Sequence, residues 1–387
     1  MNIVFISNYL NHHQLPFCNE LYKRVNSNFT FIAMKPMSEE RKKLGWKENS
    51  KYQYELRAFE SILSYKESRK VIENADVIIL GSSTSKIVKR KDFKRKIILR
   101  YSERIYKNGL NFKNFLRAMF SAYKYHGRYK KDEVYLLCAS AYVAYDMSIF
   151  GNYLNKSLRW GYFPKTIEYD VDSLFEKKNN KKVVILWVGR FVDWKHPEIA
   201  IELAESLLSK NIEFELNMIG TGEKLEELIE IIELKKISNY VNILGPISPS
   251  EVRRYMEVAN IFLSTSDFNE GWGVVINEAM NSGCTVLVSH AVGSAPFLVN
   301  HKVNGVMYQN DNFDDLVEKA YILATDHKLI EKYGKEAYKT IYEHWNASVA
   351  TDRLLRFVNA KVNHKEIPIY TSGPLSIAQP VQNDWFI

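Results

Sequence analysis

Short apolar runs rich in Val, Ile, Leu and Phe alternate along the chain with longer stretches whose apolar residues return every three or four positions. The runs read as strands of parallel sheets, buried on both faces, and the amphipathic stretches as the helices that cover them. In the first half the expected strands are residues 2–7, 29–34, 76–80, 96–101 and 133–138. Residues 168–182 are polar and charged, with almost no apolar periodicity, and are expected to hold a domain linker. The alternation then restarts, with strands over 183–189, 214–219, 241–244, 261–264 and 285–288 and helices over 197–208, 224–235, 249–258 and 274–280. Helices are expected to fill the remainder to about residue 362, and Pro368, Gly373, Pro374 and Pro380 mark an irregular tail. The expected architecture is α/β: two doubly wound, Rossmann-like domains at 1–170 and 183–344, a linker at 171–182, and a helix and tail at 345–387 packing back on the first domain.

Composition narrows the class without changing the fold. At 387 residues, 46% hydrophobic and 25% charged, the chain has room for two cores and excludes wholesale disorder, collagen and coiled coil. Cys18, Cys138 and Cys284 lie far apart with no metal-binding spacing, which fits a reducing cytoplasm and no bound metal. The first residues lack the basic and apolar regions of a secretion signal, and no run of about 18 apolar residues spans a bilayer. Membrane contact is therefore expected to be peripheral.

Charge is unevenly spread. Between Lys86 and Lys131 stand sixteen basic residues against only Asp92 and Glu103, so this segment outweighs the net charge of +8 and leaves the rest acidic. Within it Phe112, Phe115, Leu116, Met119, Phe120 and Tyr123 recur at helical spacing, bordered by Lys113, Arg117, Lys124, Arg128, Lys130 and Lys131. Two readings stand level: a helix lying on an anionic membrane surface, and a core-facing helix with a solvated outer side. Nucleic acid is not expected as a partner, because no recognised binding module accompanies the charge.

The candidate chemistry clusters in the second half. Gly189-Arg190 ends an expected strand, and Lys195 precedes a helix that Pro197 can open. A guanidinium fork and a compact ammonium suit two phosphate groups whose charge grows as a bond breaks, although alone the pair reads better as surface Arg and Lys. Gly220-Thr221-Gly222 either brings backbone N–H groups to a ligand or makes a tight turn. The sharpest segment runs Glu270-Gly271-Trp272-Gly273-Val274 into a helix bearing Glu278. Its glycines free the backbone at a helix N-terminus, where N–H groups and dipole favour an anion. Glu278 lies about 6 Å further along the axis. The two carboxylates would thus address different hydroxyl-bearing parts of one elongated ligand.

In order and spacing these residues resemble family 4 of the retaining glycosyltransferases, whose fold is the two-domain GT-B arrangement with a cleft between domains. Gly189-Arg190-Phe191 with Lys195 is similar to that family's G-R-L and K-G, with His196 where Gly is usual. Ile219-Gly220-Thr221-Gly222 is similar to its I-G-x-G, and Glu270 through Glu278 to its E-x7-E. Glu278-Ala279-Met280-Asn281-Ser282-Gly283-Cys284 is similar to its E-A-M-A-x-G-x, after which Thr285 replaces the customary proline. The resemblance implies that Arg190 and Lys195 bind the donor diphosphate, Glu270 the sugar and Glu278 the ribose. It gives Gly271, Trp272, Gly273, Val274, Gly220 and Gly222 to the donor loops, and Ile247 to the nucleobase. It further implies a nucleotide-sugar donor, UDP ahead of GDP, a lipid-linked or oligosaccharide acceptor, and no cofactor or metal. The first half departs from the family: Asn8, His12 and His13 stand where a Gly-Gly loop is common, and they either face the cleft or begin a helix in solvent. Rival readings are an epimerase or phosphorylase of the same fold and an inactive membrane-bound scaffold. A dehydrogenase is disfavoured, since no strand is followed by G-x-G-x-x-G.

Overall fold

The computed structural model describes residues 1–38, 51–82, 84, 87–107, 109–110, 112–179 and 181–386, without the side chains of Phe112 and Lys113. Two compact units result, one of Met1–Pro164 with Ala347–Gln382 and one of Lys165–Asn346 with Asn383–Ile387.

The first unit contains β1 (Ile3–Ser7), α1 (Leu15–Val25), β2 (Phe29–Ala33), β3 (Glu55–Arg57), α2 (Ile62–Glu73), β4 (Val77–Leu80), β5 (Ile97–Ser102), α3 (Phe112–Tyr125), β6 (Val134–Cys138), α4 (Val143–Ser148) and β7 (Ser157–Arg159). Its strands form a parallel sheet in the order β3-β2-β1-β4-β5-β6-β7. Every residue of β1 is buried, as a central parallel strand requires, with Ile3 in register with Phe29 on one side and Val77 on the other. Phe5 meets Phe17 of α1 and Phe31 of β2 edge-on, with centroids at 6.4 and 5.1 Å.

The second unit contains α5 (Val171–Glu176), β8 (Val183–Val188), α6 (Pro197–Ser209), β9 (Phe214–Ile219), α7 (Leu225–Leu234), β10 (Val241–Gly245), α8 (Pro249–Val258), β11 (Ile261–Ser264), α9 (Val274–Asn281), β12 (Thr285–Ser289), α10 (Ala295–Leu298), β13 (Val306–Tyr308), α11 (Phe313–Thr325) and α12 (His327–Lys339). The sheet is again parallel, in the order β10-β9-β8-β11-β12-β13. Trp187 of β8 sits in the core with Phe191, Phe214 and Leu263, its Nε1 donating to Thr265 Oγ1 at 2.9 Å. The chain leaves β8 toward β9 and returns on the other side with β11, so the carboxyl ends of β8 and β11 flank the switch point at which open α/β sheets form crevices. The final helix, α13 (Ala347–Val362), returns to the first unit and packs on α1, where Arg24 donates to Ser348 Oγ at 2.8 Å. Beyond it the tail lies along the edge strand β7 through Arg159 N–Ser376 O (2.7 Å) and Ala378 N–Ser157 O (2.9 Å), covering an otherwise open edge.

The division into units and the shortest strands fall where the sequence pattern carries little signal. The change of unit falls at Pro164–Lys165, ahead of the stretch expected to link the domains. That stretch instead holds α5 and the buried Lys178, whose ammonium donates to Met256 O and Ala259 O, both at 2.7 Å, at the end of α8. A polar run looks like a linker until its lysine is seen capping helix carbonyls. The three-residue strands β3, β7 and β13 were too short to show a period. The three cysteines are buried and free, and among the described residues no helix is long and apolar enough to cross a membrane.

Candidate functional site

The loop after β8 carries Arg190 and Lys195, and it is held from below by the turn after β9. Phe191 N donates to Thr221 O (2.9 Å) and Lys224 N to Phe191 O (3.1 Å). A Cβ on Gly220 would lie 1.8 Å from Gly189 O and one on Gly222 2.2 Å from Phe191 O. The two glycines are therefore required by close backbone packing. They act on the site by setting the height of the Arg190 loop.

Lys195 and Glu270 form an ion pair with side chains only 15% and 16% exposed. The backbone brings them together. Thr265, just past β11, donates its hydroxyl to Lys195 O at 2.6 Å, and Asp267 N donates to Trp194 O at 3.0 Å. Glu270 N then donates to Asp267 O at 3.1 Å, so the loops after β8 and β11 are cross-linked over the switch point. Arg190, on the same loop as Lys195, lies with its guanidinium carbon 5.0 Å from the Trp194 ring.

His196 ties the same two loops from the other side. Its ring nitrogens lie 3.1 Å from Glu198 Oε1 and 3.4 Å from Asp267 Oδ2, an arrangement that favours the imidazolium because both partners accept. The hydrogen bond to Glu198 leads the causes that raise the His196 pKa, with burial opposing. Burial alone would raise the Glu198 carboxyl, but hydrogen bonds from His196 and Lys224 outweigh it and hold it down at about 2. The φ of +47° at His196 explains why Gly is the usual residue at such a place. In the sequence only the departure from Gly is visible, since Glu198, Lys224 and Asp267 carry no motif.

Gly273 caps α9 with a φ of +78°, and Gly293 N and Ser294 N donate to Glu270 O (3.3 Å) and Trp272 O (3.1 Å). The glycine-rich loop is thus pinned to the loop after β12, with Gly271 buried and Val274 half-buried at the helix start. The Trp272 side chain is 2% exposed, donates from Nε1 to Asn277 Oδ1 at 2.8 Å and packs near Phe297 and Trp345. It anchors the loop from the core and leaves only its backbone at the loop's edge.

Glu278 sits one turn into α9, 23% exposed, with Arg253 Nη2 3.8 Å from its Oε1. Burial pushes its carboxyl above the ordinary range, and Arg253 opposes the shift. Arg253, from α8, also donates to Glu278 O (2.8 Å), Asn281 Oδ1 (3.2 Å) and Lys165 O (3.1 Å), so it fixes the end of α9. No motif points to Arg253; only the contact between α8 and α9 reveals it. Ile247 is half-buried between Gly245 and the Ser248 cap of α8, at the carboxyl end of β10.

The first-unit candidates lie at the end of β1. Asn8 accepts from Tyr9 N on its side chain (2.9 Å) and from Lys35 N on its carbonyl (2.7 Å), which is loop-building work. His12 is exposed and His13 half-buried, ring centroids 3.7 Å apart, in the turn that leads into α1. His13 lies 6.1 Å from Tyr162. Of the residues expected to face a membrane, Arg117, Lys124, Arg128, Lys130 and Lys131 are all exposed, while the Lys113 side chain lies outside the described residues. Among the described residues, no three His, Cys, Asp or Glu side chains are placed to share a metal ion.

Residues 170–340 match the family model described as Glycosyl transferases group 1. The poly(ribitol-phosphate) alpha-N-acetylglucosaminyltransferase of Staphylococcus aureus (strain COL) is 24% identical over 205 residues, 50% of this chain and 41% of that protein. The poly(glycerol-phosphate) alpha-glucosyltransferase of Bacillus subtilis (strain 168) is 27% identical over 221 residues, 56% of this chain and 32% of that protein. The chain thus spans well under half of these curated relatives. A crystal structure of Anabaena HepE in complex with UDP and glucose superposes with a TM-score of 0.65 at 15% identity, covering 93% of this chain and 100% of that one. At that identity the likeness establishes the fold, which is GT-B with two Rossmann-like units.

Proposed function

We propose that this chain is a retaining glycosyltransferase of family 4, moving a sugar from a nucleotide sugar to a lipid-linked or glycan acceptor at the cytoplasmic face of a membrane. The observation that carries the reading is the Lys195–Glu270 ion pair, built by cross-linked loops on the switch point of the second sheet beside Arg190. It joins the cation that would meet phosphate to the acid that would meet sugar. A diphosphate arriving at Lys195 competes with Glu270 for the ammonium and releases that carboxylate toward the sugar hydroxyls.

Arg190 and Lys195 then take up the charge that develops on the leaving diphosphate, in the place where a metal ion acts in other transferases. The departing phosphate oxygen accepts the acceptor hydroxyl's proton on the face it leaves, so the anomeric configuration is kept. Glu278, one turn into α9, holds the ribose by accepting from its vicinal hydroxyls. The N-terminal ends of α9 and its glycine loop lend N–H groups to the phosphates. A UDP-sugar is the favoured donor, supported by the UDP and glucose of the HepE complex. The two curated relatives, named for poly(ribitol-phosphate) and poly(glycerol-phosphate), support an acceptor in cell-surface polysaccharide or glycolipid synthesis.

The test is a mass-spectrometric screen of UDP-, GDP- and ADP-sugars for donor hydrolysis. Slow release from one class is expected, and silence from a folded sample counts against the reading. Arg190→Ala should lower turnover about 100- to 1,000-fold while changing donor affinity far less, because the charge it meets grows only during cleavage. Unchanged turnover removes that role.

A further inference from the structure

The apolar stripe of α3 faces water. Phe115, Leu116, Met119, Phe120 and Tyr123 are between 42% and 69% exposed, whereas Ala122 is buried. At about 100° per residue the five large side chains share one arc of roughly 140°. Phe115 meets Phe150 with ring centroids 5.4 Å apart, but the helix turns most of its apolar bulk outward, the reverse of an ordinary surface helix. Arg117 and Lys124 fall at one edge of the arc, and the turn that follows adds Arg128, Lys130 and Lys131, all exposed. No Asp or Glu occurs between Phe112 and Lys131.

We propose that α3 and the turn after it form a docking surface for an anionic lipid bilayer. A single convex helix offers no groove for a peptide. Its aromatic and aliphatic side chains flanked by cations match acyl chains lying beneath anionic headgroups, with Tyr123 suited to the boundary between them. Nucleic acid would engage the cations and leave the five apolar side chains in water. The core-facing reading of this helix fails on its exposure, and the membrane reading does not depend on the sugar-transfer site in the second unit.

The experiment is co-sedimentation of the full chain with vesicles of phosphatidylcholine alone or mixed with phosphatidylglycerol. Binding to the mixed vesicles is expected, weakening with added salt and falling about fivefold for each of Lys124→Gln, Arg128→Gln and Lys130→Gln. The double variant Leu116→Glu, Phe120→Glu should lose about tenfold or more in affinity with an unchanged unfolding transition, because both side chains are already in water. Its donor hydrolysis in solution should match the parent's, which separates this proposal from the transferase reading. Equal binding to both vesicle types, or full binding by the double variant, overturns the proposal. So does a dimer that forms without lipid and is abolished by the double variant, or displacement from vesicles only by oligonucleotide.

Discussion

Helices α3 and α9 are both amphipathic, and both sit in a parallel α/β unit, yet they use their apolar sides in opposite ways. Ile276, Ala279 and Met280 of α9 are wholly buried, while Leu116 and Phe120 of α3 are 69% and 66% exposed. In α9 the apolar side fixes the helix so firmly that Gly273, Val274 and Glu278 stand at a set height over the sheet edge. In α3 it leaves most of its area in water, although Phe115 meets Phe150 of the same unit with ring centroids 5.4 Å apart. An apolar stripe thus announces a surface that needs covering; whether the cover is the protein's core or something outside it depends on how the helix is laid down.

Placing a charge on each stripe gives the widest separation. Ile276→Asp should cost the protein about 4 kcal/mol, since it buries an unpaired carboxylate, whereas Leu116→Asp should stay within about 0.5 kcal/mol. Urea denaturation followed by tryptophan fluorescence reads both, and similar losses at the two sites would erase the distinction. Next in size is Gly220→Ala, expected to cost about 3 kcal/mol because its Cβ has no room beside Gly189 O. Were it tolerated with the parent's midpoint, the loop carrying Arg190 could not be as tightly seated as the backbone contacts indicate.

A smaller effect separates binding from positioning at α9. Glu278→Gln should raise the donor KM about tenfold with kcat within about twofold, as expected for a contact made equally before and during bond cleavage. A fall in kcat alone would place Glu278 in the chemistry. The smallest effect concerns the His196 clamp. His196 has a raised folded-state pKa, so its contribution is full below its unfolded value of about 6.5 and is lost as pH rises through the higher folded value. Glu198 works in the other direction: its depressed carboxyl contributes above about 4.5 and loses this as pH falls toward about 2. The parent should therefore lose stability as pH rises from about 6.5 into the alkaline range, and His196→Ala should flatten that slope. An identical slope in both proteins would assign the titration elsewhere.

Much of the second unit was legible because its signals are local. Strand runs such as Val183–Val188 and Ile261–Ser264 are continuous and apolar, and Glu270 to Glu278 keeps glycines and acids at spacings that a loop and one helix turn impose directly. The role of Trp272 was not legible, since an aromatic beside two glycines looks the same whether it meets a ligand or the core. Arg253 and Asp267 carry no sequence signal for a related reason: Arg253 acts on α9 and Asp267 on the loop after β8, and nothing beside either residue marks that partner. Lys178 shows the cost of reading polarity alone, because its charged head is satisfied by two carbonyls at the end of α8.

Periodicity and spacing belong to neighbours along the chain, so the order of elements, the amphipathic character of α3 and α9 and the identity of the phosphate-site candidates follow from the amino acids alone. Which stripe meets the core and which meets water, which glycines pack against a neighbouring backbone, and which acid pairs with Lys195 are decided by contacts between residues far apart in the chain. Those contacts exist only once parallel strands, ordered by long crossovers, have brought their carboxyl ends side by side.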